Sequence, residues 1–509
     1  MDAAGLWMLA AVAALILATG LPAWMLLIGV ALAFAAIGVA VGKVPLSLLT
    51  GIPSRLIGLL DSDLLQTLPL YVLMGAMLNR LPLADVLFRA ARRSLRWTRA
   101  GAPLAGLGLG VLLAPMNGSV GASAAMLTRT VFPRLTEAHV EPTRGAALVC
   151  VASTLGVVVP PSLVLILLGD AMLRAHTEAV NATGVATRII NTQDVFRGAL
   201  IPAVVFLLLC AFIAWRRNRR KGITRFPAPG PTLGEWVTAS VAGLTIVALL
   251  AGVTLGYLYA VEAAATGGVA LFCYGIATRT LPRGILAEIL RDTMAVTGAL
   301  FALLVGATIF TLVVRAFGTD RLVADWLSHL ATDPRRALVI VLAVLGLCAF
   351  VLDAYEMIFV VIPIVLPPIL TRVPDATWVA VLTLLVLQTS FLIPPMGYAV
   401  LMVRHRIAQP IRTWRFIRAL APYLIAQLVL LALVLSFPET LWRGPAAEPA
   451  SDERPGPPSE EMNFPFAPPD VDIKIPLPAL PGHSEPSDNG KLPLPALPGE
   501  SEPGDIRKP

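Results

Sequence analysis

The chain has 509 residues, of which 57% are hydrophobic and 14% charged, with a mean hydropathy of +0.78. A soluble chain of this size carries nearer a quarter charged residues, so the composition excludes a soluble enzyme or binding domain and indicates an all-α polytopic membrane protein. The net charge of +7 is uneven: residues 438–509 hold 6 basic and 13 acidic side chains, so the preceding body is strongly basic. Such a body argues for arginines at a membrane surface, with lipid as a partner, and against nucleic acid.

Apolar runs of about 20 residues are candidate spans. Trp7 to Gly42 is too long for one and breaks at Gly20-Leu-Pro22, which predicts two helices joined by a tight turn. The run lacks a basic leader, so a retained anchor is expected. Leu64 to Leu78 is a third helix, with Asp61 and Asp63 placed to cap it. Arg89, Arg92, Arg93, Arg96 and Arg99 then alternate with Val86, Leu87, Ala90 and Leu95, a pattern suited to an amphipathic helix at the interface. Ala102 to Leu135 is apolar, is interrupted at Ala114-Pro-Met-Asn-Gly-Ser-Val-Gly-Ala-Ser123, and resumes. With basic residues at both ends, it reads as a re-entrant hairpin with a small-residue tip.

Gly145 to Leu168 follows, and Pro160-Pro161 interrupts it. Adjacent prolines remove backbone donors and clash with the preceding turn. A break of this kind within a bilayer must face protein or a wet cavity. A polar stretch, Asp170 to Asp194, leads to a span at Val195–Trp215 and then to Arg216-Arg-Asn-Arg-Arg-Lys221, the strongest cytoplasmic marker in the chain. Trp236–Leu255 and Tyr257–Ala277 form an outward and a returning span, and Thr293–Val314 goes out again. A linker, Ala316–Pro334, carries Asp320, Asp325 and Asp333.

The earlier pattern then recurs. Arg336 to Arg372 is apolar, is interrupted at Asp353-Ala-Tyr-Glu356, and ends near Pro367-Pro368. Thr377 to Val403 is broken at Pro394-Pro395, and Phe416–Phe437 exits. Charge placement and crossing count put the first hairpin in from the cytoplasm and the second from the periplasm. That is an inverted repeat, about 64–215 and 293–437, within a transporter domain 1–437. Residues 438–509 are Pro-rich and acidic and contain a near-duplicate, Lys474-Ile-Pro-Leu-Pro-Ala-Leu-Pro-Gly482 and Lys491-Leu-Pro-Leu-Pro-Ala-Leu-Pro-Gly499. This composition predicts a disordered tail, on the periplasmic side.

His139, His176, His329, His405 and His483 are scattered, and no pair has metal-ligand spacing. Cys150, Cys210, Cys273 and Cys348 read as buried thiols without a disulfide framework. No Walker or dinucleotide motif occurs, so no enzyme and no organic cofactor is expected, and uphill work must come from an ion gradient or a partner. The hydroxyl, amide and backbone groups of Asn117, Gly118, Ser119, Ser123, Ser153, Thr154 and Gly156, beside Pro160, form one candidate half-site. Asp353, Glu356, Thr389, Ser390, Pro394 and Gly397 form the other. Unwound helix ends supply carbonyls for sodium, with Ser119, Ser153, Thr154 and Ser390 as candidate ligands, and N–H groups for a carboxylate. Asp353 and Glu356, three apart, can face one cavity. Glu262 is a further carboxylate inside an apolar run, read either as functional or as a packing carboxylate.

Asn117-Gly-Ser-Val-Gly-Ala-Ser123, Ser153-Thr-Leu-Gly-Val-Val-Val-Pro-Pro-Ser162 and Leu167-Leu-Gly-Asp170 resemble the DctM-like large permease subunit of tripartite ATP-independent periplasmic (TRAP) transporters. So do Phe196-Arg-Gly-Ala-Leu-Ile-Pro202, Leu352-Asp-Ala-Tyr-Glu-Met-Ile358 and Leu387-Gln-Thr-Ser-Phe-Leu-Ile-Pro-Pro-Met-Gly397. The Leu-Leu-Gly-Asp and Leu-Gln-Thr-Ser-Phe forms are similar to the mannitol/chloroaromatic branch. The resemblance implies a sodium-coupled, elevator-type importer of a 2-oxo, hydroxy or dicarboxylic acid in a bacterial inner membrane. It also implies two partners, a small four-helix permease subunit, expected as a separate chain, and a periplasmic substrate-binding protein. A stand-alone sodium/carboxylate symporter of related fold is the alternative. Tyr259-Ala-Val-Glu262 departs from the family's usual Thr-Pro-Thr-Glu.

Overall fold

The computed structural model describes residues 4–60, 63–184, 189–218, 232–330, 333–393, 397–407 and 411–441. The acidic tail beyond 441, Asp61, Pro394 and Arg219, Arg220 and Lys221 of the Arg216–Lys221 cluster lie outside the described residues. The described secondary structure is helical, without strands.

The first two helices are α1 (Ala4–Thr19) and α2 (Ala23–Ala40), separated at Gly20-Leu-Pro22 as the sequence predicts. Two short helices the apolar pattern does not announce follow, α3 (Leu46–Thr50) and α4 (Ile52–Leu60). Next come α5 (Asp63–Arg80) and the amphipathic α6 (Leu83–Ser94), which turns off α5 by 68°. That bend lays α6 across a span axis, as an interfacial helix requires. Its buried face is Leu83, Ala84, Val86, Leu87, Phe88 and Ala90.

The first hairpin is α7 (Gly101–Leu113), a tight turn at Pro115–Asn117, and α8 (Val120–Glu137). Thirteen residues rise about 20 Å, against about 30 Å for a hydrocarbon core, so α7 turns back before crossing. The first broken helix is α9 (Pro142–Val158) and α10 (Leu163–Thr183), followed by α11 (Thr192–Asn218). Most of the polar stretch Asp170–Asp194 is therefore helix, with Asp170 paired to Arg174 one turn along at 2.9 Å. Helices α12 (Leu233–Leu255), α13 (Ala260–Ala277) and the 34-residue α14 (Arg283–Ala316) come next. The Ala316–Pro334 linker contains a second amphipathic helix, α15 (Thr319–Leu330).

The second hairpin is α16 (Pro334–Cys348) and α17 (Ala354–Leu370). Its interruption is Ala349–Asp353, earlier than the predicted Asp353–Glu356, because Asp353 caps the arm that Ala354 begins. A π-helical turn, Met357–Val361, follows that cap, and Pro367-Pro368 lie inside α17 without ending it. The second broken helix is α18 (Ala376–Leu392) and α19 (Tyr398–Arg406), and α20 (Thr413–Ser436) closes the series.

The order of a long helix, an amphipathic helix, a hairpin, a broken helix and a span thus occurs twice. The packing is reciprocal. Helix α10 lies on hairpin arm α17, while α19 lies on hairpin arm α8. Likewise α11 packs on α18 and α20 on α9. Two halves related by a twofold exchange partners in this way. Around them, α14 packs on α2 and α5, and α5 on α13. Arg80 ties α5 to the start of α14 through Glu288 and, at 2.8 Å, Asp292.

Burial separates the two groups. The apolar stretch of α9–α10 is 94% buried within the chain, whereas that of α12 is 28% buried. The helix with broken backbone is shielded by protein, and the unbroken helices face lipid, which satisfies the backbone requirement in hydrocarbon. Four expectations need correction. Glu262 is exposed, and its carboxylate accepts from the Tyr259 N–H at 2.9 Å, so it caps α13 and does not pack inside a span. Cys273 is exposed and Cys348 half-buried, so only Cys150 and Cys210 are buried thiols. The second hairpin breaks earlier than predicted, and the Ala316–Pro334 linker is mostly helix.

Candidate functional site

Hairpin one presents its tip to the first broken helix. Gly118 closes the tip with φ +72°, a conformation a side chain resists, and Ser119 then starts α8 as its cap. Ser119 Oγ accepts from Ala122 N at 3.1 Å. Ser123, fully buried, donates to Ser119 O at 3.0 Å and also reaches Ala114 O. Asn117 Nδ2 donates to Ser123 Oγ at 3.3 Å, while Asn117 Oδ1 is buried with no partner among the described residues. A buried amide oxygen of that kind is an acceptor held ready for a donor or a cation.

Facing the tip, α9 ends at Val158 and the chain passes through Pro160-Pro161, joined by a cis peptide bond, into α10. Ser162 bridges the gap. Its hydroxyl accepts from Leu165 N and donates to Val157 O, both at 3.2 Å. Gly156 lets the two walls meet: a Cβ there would stand 2.5 Å from the Ala114 carbonyl oxygen. Gly118, Ser119, Ser123, Ser153 and Gly156, with Val157 and Leu163, line a small cavity between tip and break, with room for little more than a water-sized body.

The hydroxyls next to both breaks behave alike. Ser153 donates to Cys150 O (2.7 Å), Thr154 to Val151 O (2.9 Å), Thr389 to Leu385 O (2.6 Å) and Ser390 to Leu387 O (2.7 Å). Each proton is turned back onto the helix, which leaves oxygen lone pairs for another partner. Of the four residues proposed to hold sodium, Ser119 and Ser153 share the cavity, and Thr154 and Ser390 do not line it.

The second tip differs from its reading. Asp353 and Glu356 form a capping box: Glu356 Oε2 accepts from Asp353 N at 3.0 Å, and the Asp353 carboxylate accepts from the backbone of Glu356. Both are half-buried, and each is engaged with the other's backbone. Gly397 opens α19, its N–H bonded to Ile393 O at 2.9 Å.

Residues that sequence reasoning left out join the two halves. The Tyr355 hydroxyl donates to the Gly118 carbonyl, from one hairpin tip to the other. Gln388 Nε2 lies 3.5 Å from Thr154 O, and Gln427 Nε2 donates to Gln388 Oε1 at 2.8 Å. Thr154 and Gln388 each stand six residues before the first proline of their break, so the broken helices meet at equivalent positions. An amide within an apolar run was the signal available for Gln388 and Gln427, both of which the structure buries fully.

The family described as "Tripartite ATP-independent periplasmic transporter, DctM component" matches residues 10–440. The chain belongs to this family. It is a TRAP large permease, a multi-span subunit of the bacterial inner membrane and a transporter component, not a member of an enzyme class. It is similar to the sialic acid TRAP transporter large permease protein SiaM of Vibrio cholerae, 23% identical over 421 residues that cover 82% of this chain and 94% of that one. It is also similar to the C4-dicarboxylate TRAP transporter large permease protein DctM of Pseudomonas aeruginosa, 24% identical over 384 residues, 74% of this chain and 84% of that one. The solved Alcanivorax borkumensis YdaH transporter shares the fold, with a TM-score of 0.55, 16% identity and coverage of 77% and 88% of the two chains.

Proposed function

We propose that this TRAP large permease imports an organic acid together with sodium. The acid is delivered by a periplasmic binding protein, and a small four-helix permease subunit completes the membrane part. The reading rests most on the four hydroxyls at the two prolyl breaks, each with its proton turned back and its lone pairs free. Neutral oxygens of this type suit a weakly held monovalent cation, and the cavity beside Ser119 and Ser153 has the size for an ion. The relatives are named for sialic acid and C4-dicarboxylates, both acids, which supports an organic anion as cargo. The mannitol/chloroaromatic-like motifs favour a 2-oxo, hydroxy or dicarboxylic acid among them.

In this reading hairpins and broken helices, inserted in opposite senses, travel as one block against α2, α5, α13 and α14. The substrate needs more room than the closed cavity offers, so its entry requires a tip to lift. The acidic tail lies on the periplasmic side. The test is uptake by proteoliposomes holding the permease with its two partners, assayed on a panel of 2-oxo, hydroxy and dicarboxylic acids. Uptake should fall to background when choline replaces sodium, and should be absent from vesicles holding the large permease alone. Uptake indifferent to sodium refutes the coupling, and robust uptake by this chain alone establishes a stand-alone symporter.

A further inference from the structure

We propose that Tyr355 is a positioning residue of the transport site, one that sets the peptide plane at the tip of hairpin one. The proposal rests on the site reading above and adds to it a residue from the opposite half. Tyr355 stands in the first turn of α17 with only 8% of its surface exposed. A buried phenol needs a hydrogen-bond partner, and this one finds the Gly118 carbonyl, 237 residues away in sequence. Gly118 sits between the tip turn and α8, in neither helix. No helical ladder holds its carbonyl, and glycine leaves the peptide free to turn.

The C=O and N–H of a trans peptide point in opposite directions. Holding the Gly118 carbonyl toward Tyr355 therefore sends the Ser119 N–H the other way. Gly118 and Ser119 both line the cavity against Ser153 and Gly156. Fixing that single plane sets the orientation of a cavity wall and of the Ser119 cap together. The tyrosine is itself aimed. The Asp353–Glu356 capping box brackets it and fixes the start of α17. The carboxylates at the second tip thus serve the first tip through the tyrosine between them. Tyr398 offers an internal control. It comes from the same half and packs against Gly121 on α8, one turn beyond the tip.

The experiment is hydrogen exchange by mass spectrometry on the full-length chain in lipid nanodiscs, comparing wild type, Tyr355→Phe and Tyr398→Phe. Tyr355→Phe keeps the ring and removes only the hydroxyl. In sodium-free buffer, exchange in the tip peptide, residues 114–119, should quicken about three- to tenfold, the range one ordinary hydrogen bond supports. Exchange in α7 should be unchanged, and Tyr398→Phe should leave the tip at the wild-type rate. Sodium alone, titrated as the probe, should protect the same tip amides, with a half-saturating concentration at least about threefold higher in Tyr355→Phe. Unchanged tip exchange in Tyr355→Phe overturns the proposal, and so does equal quickening in Tyr398→Phe. If sodium protects the tip in neither wild type nor variant, the coupling reading fails, while the sodium-free comparison still decides the role of Tyr355.

Discussion

The two breaks are equivalent in sequence and built differently in space. Gly156 and Ser390 each stand four residues before the first proline of their break. At the first, backbone meets backbone so closely that a Cβ would lie 2.5 Å from Ala114 O. At the second, a serine side chain fits, 5% exposed, and bonds its own helix. The tips differ in the same sense. Tip one is capped by a neutral, mostly buried serine network, and tip two by a half-buried pair of carboxylates. Half one is close-packed around a cavity, and half two supplies the polar arms, Tyr355 and Gln388, that reach across. A duplicated element order can therefore be kept while the two copies divide the labour.

The comparison is most directly broken at Gly156. Gly156→Val places carbon against a backbone carbonyl that cannot swing aside, and should cost about 3 kcal/mol, the upper end of overpacking. Ser390→Val should cost less than half as much. Melting temperatures of the two purified variants measure this, and equal shifts would mean that half one is no tighter than half two.

Gln388→Leu comes next. It removes the acceptor of Gln427 Nε2 and the donor facing Thr154 O while filling similar volume. Loss of partners to buried polar groups should lower stability by about 1–3 kcal/mol. Adding Gln427→Leu should recover part of that loss, and a double variant as unstable as the sum of the singles would show that the two amides act separately.

The smallest effects are expected at the caps. Ser119→Ala should cost about 1 kcal/mol and Glu356→Gln a few tenths, because glutamine can still accept from Asp353 N. Thermal melting at constant lipid and salt distinguishes them, and a larger shift for Glu356→Gln would reverse the assignment of the rigid tip.

Much of this architecture is legible in the chain. Spans and hairpins follow from runs of Leu, Val and Ala set against backbone needs in lipid, and the prolyl pairs mark the breaks. Surface-lying helices are less visible. Helix α15 mixes Asp320, Asp325 and Trp326 with apolar residues, so its composition resembles a linker. Helices α3 and α4 are too short to show a period. Asp353 and Glu356 show the limit for the site. Two carboxylates three apart suit a shared cavity, but the same spacing is that of a capping box, and only the backbone distinguishes the two. The Tyr355 contact spans 237 residues, and no local pattern announces it. The structure brings Ser119, Ser123, Ser153 and Gly156 around one cavity, but glycines and hydroxyls near a proline break equally serve close helix packing, so their spacing alone does not name a ligand.

Helix α14 carries a mechanical consequence. Its 34 residues rise about 51 Å, roughly 20 Å more than a hydrocarbon core. The surplus falls at its start, where Glu288 and Asp292 meet Arg80, because the apolar run begins only at Thr293. That end of the helix is polar and largely exposed, and it is not needed to cross the hydrocarbon. Its ion pairs, about half exposed on the acidic side, are screened by salt and each contribute at most about 1 kcal/mol. They join α5 and α14 at that end, while the apolar packing along the two helices carries most of the contact.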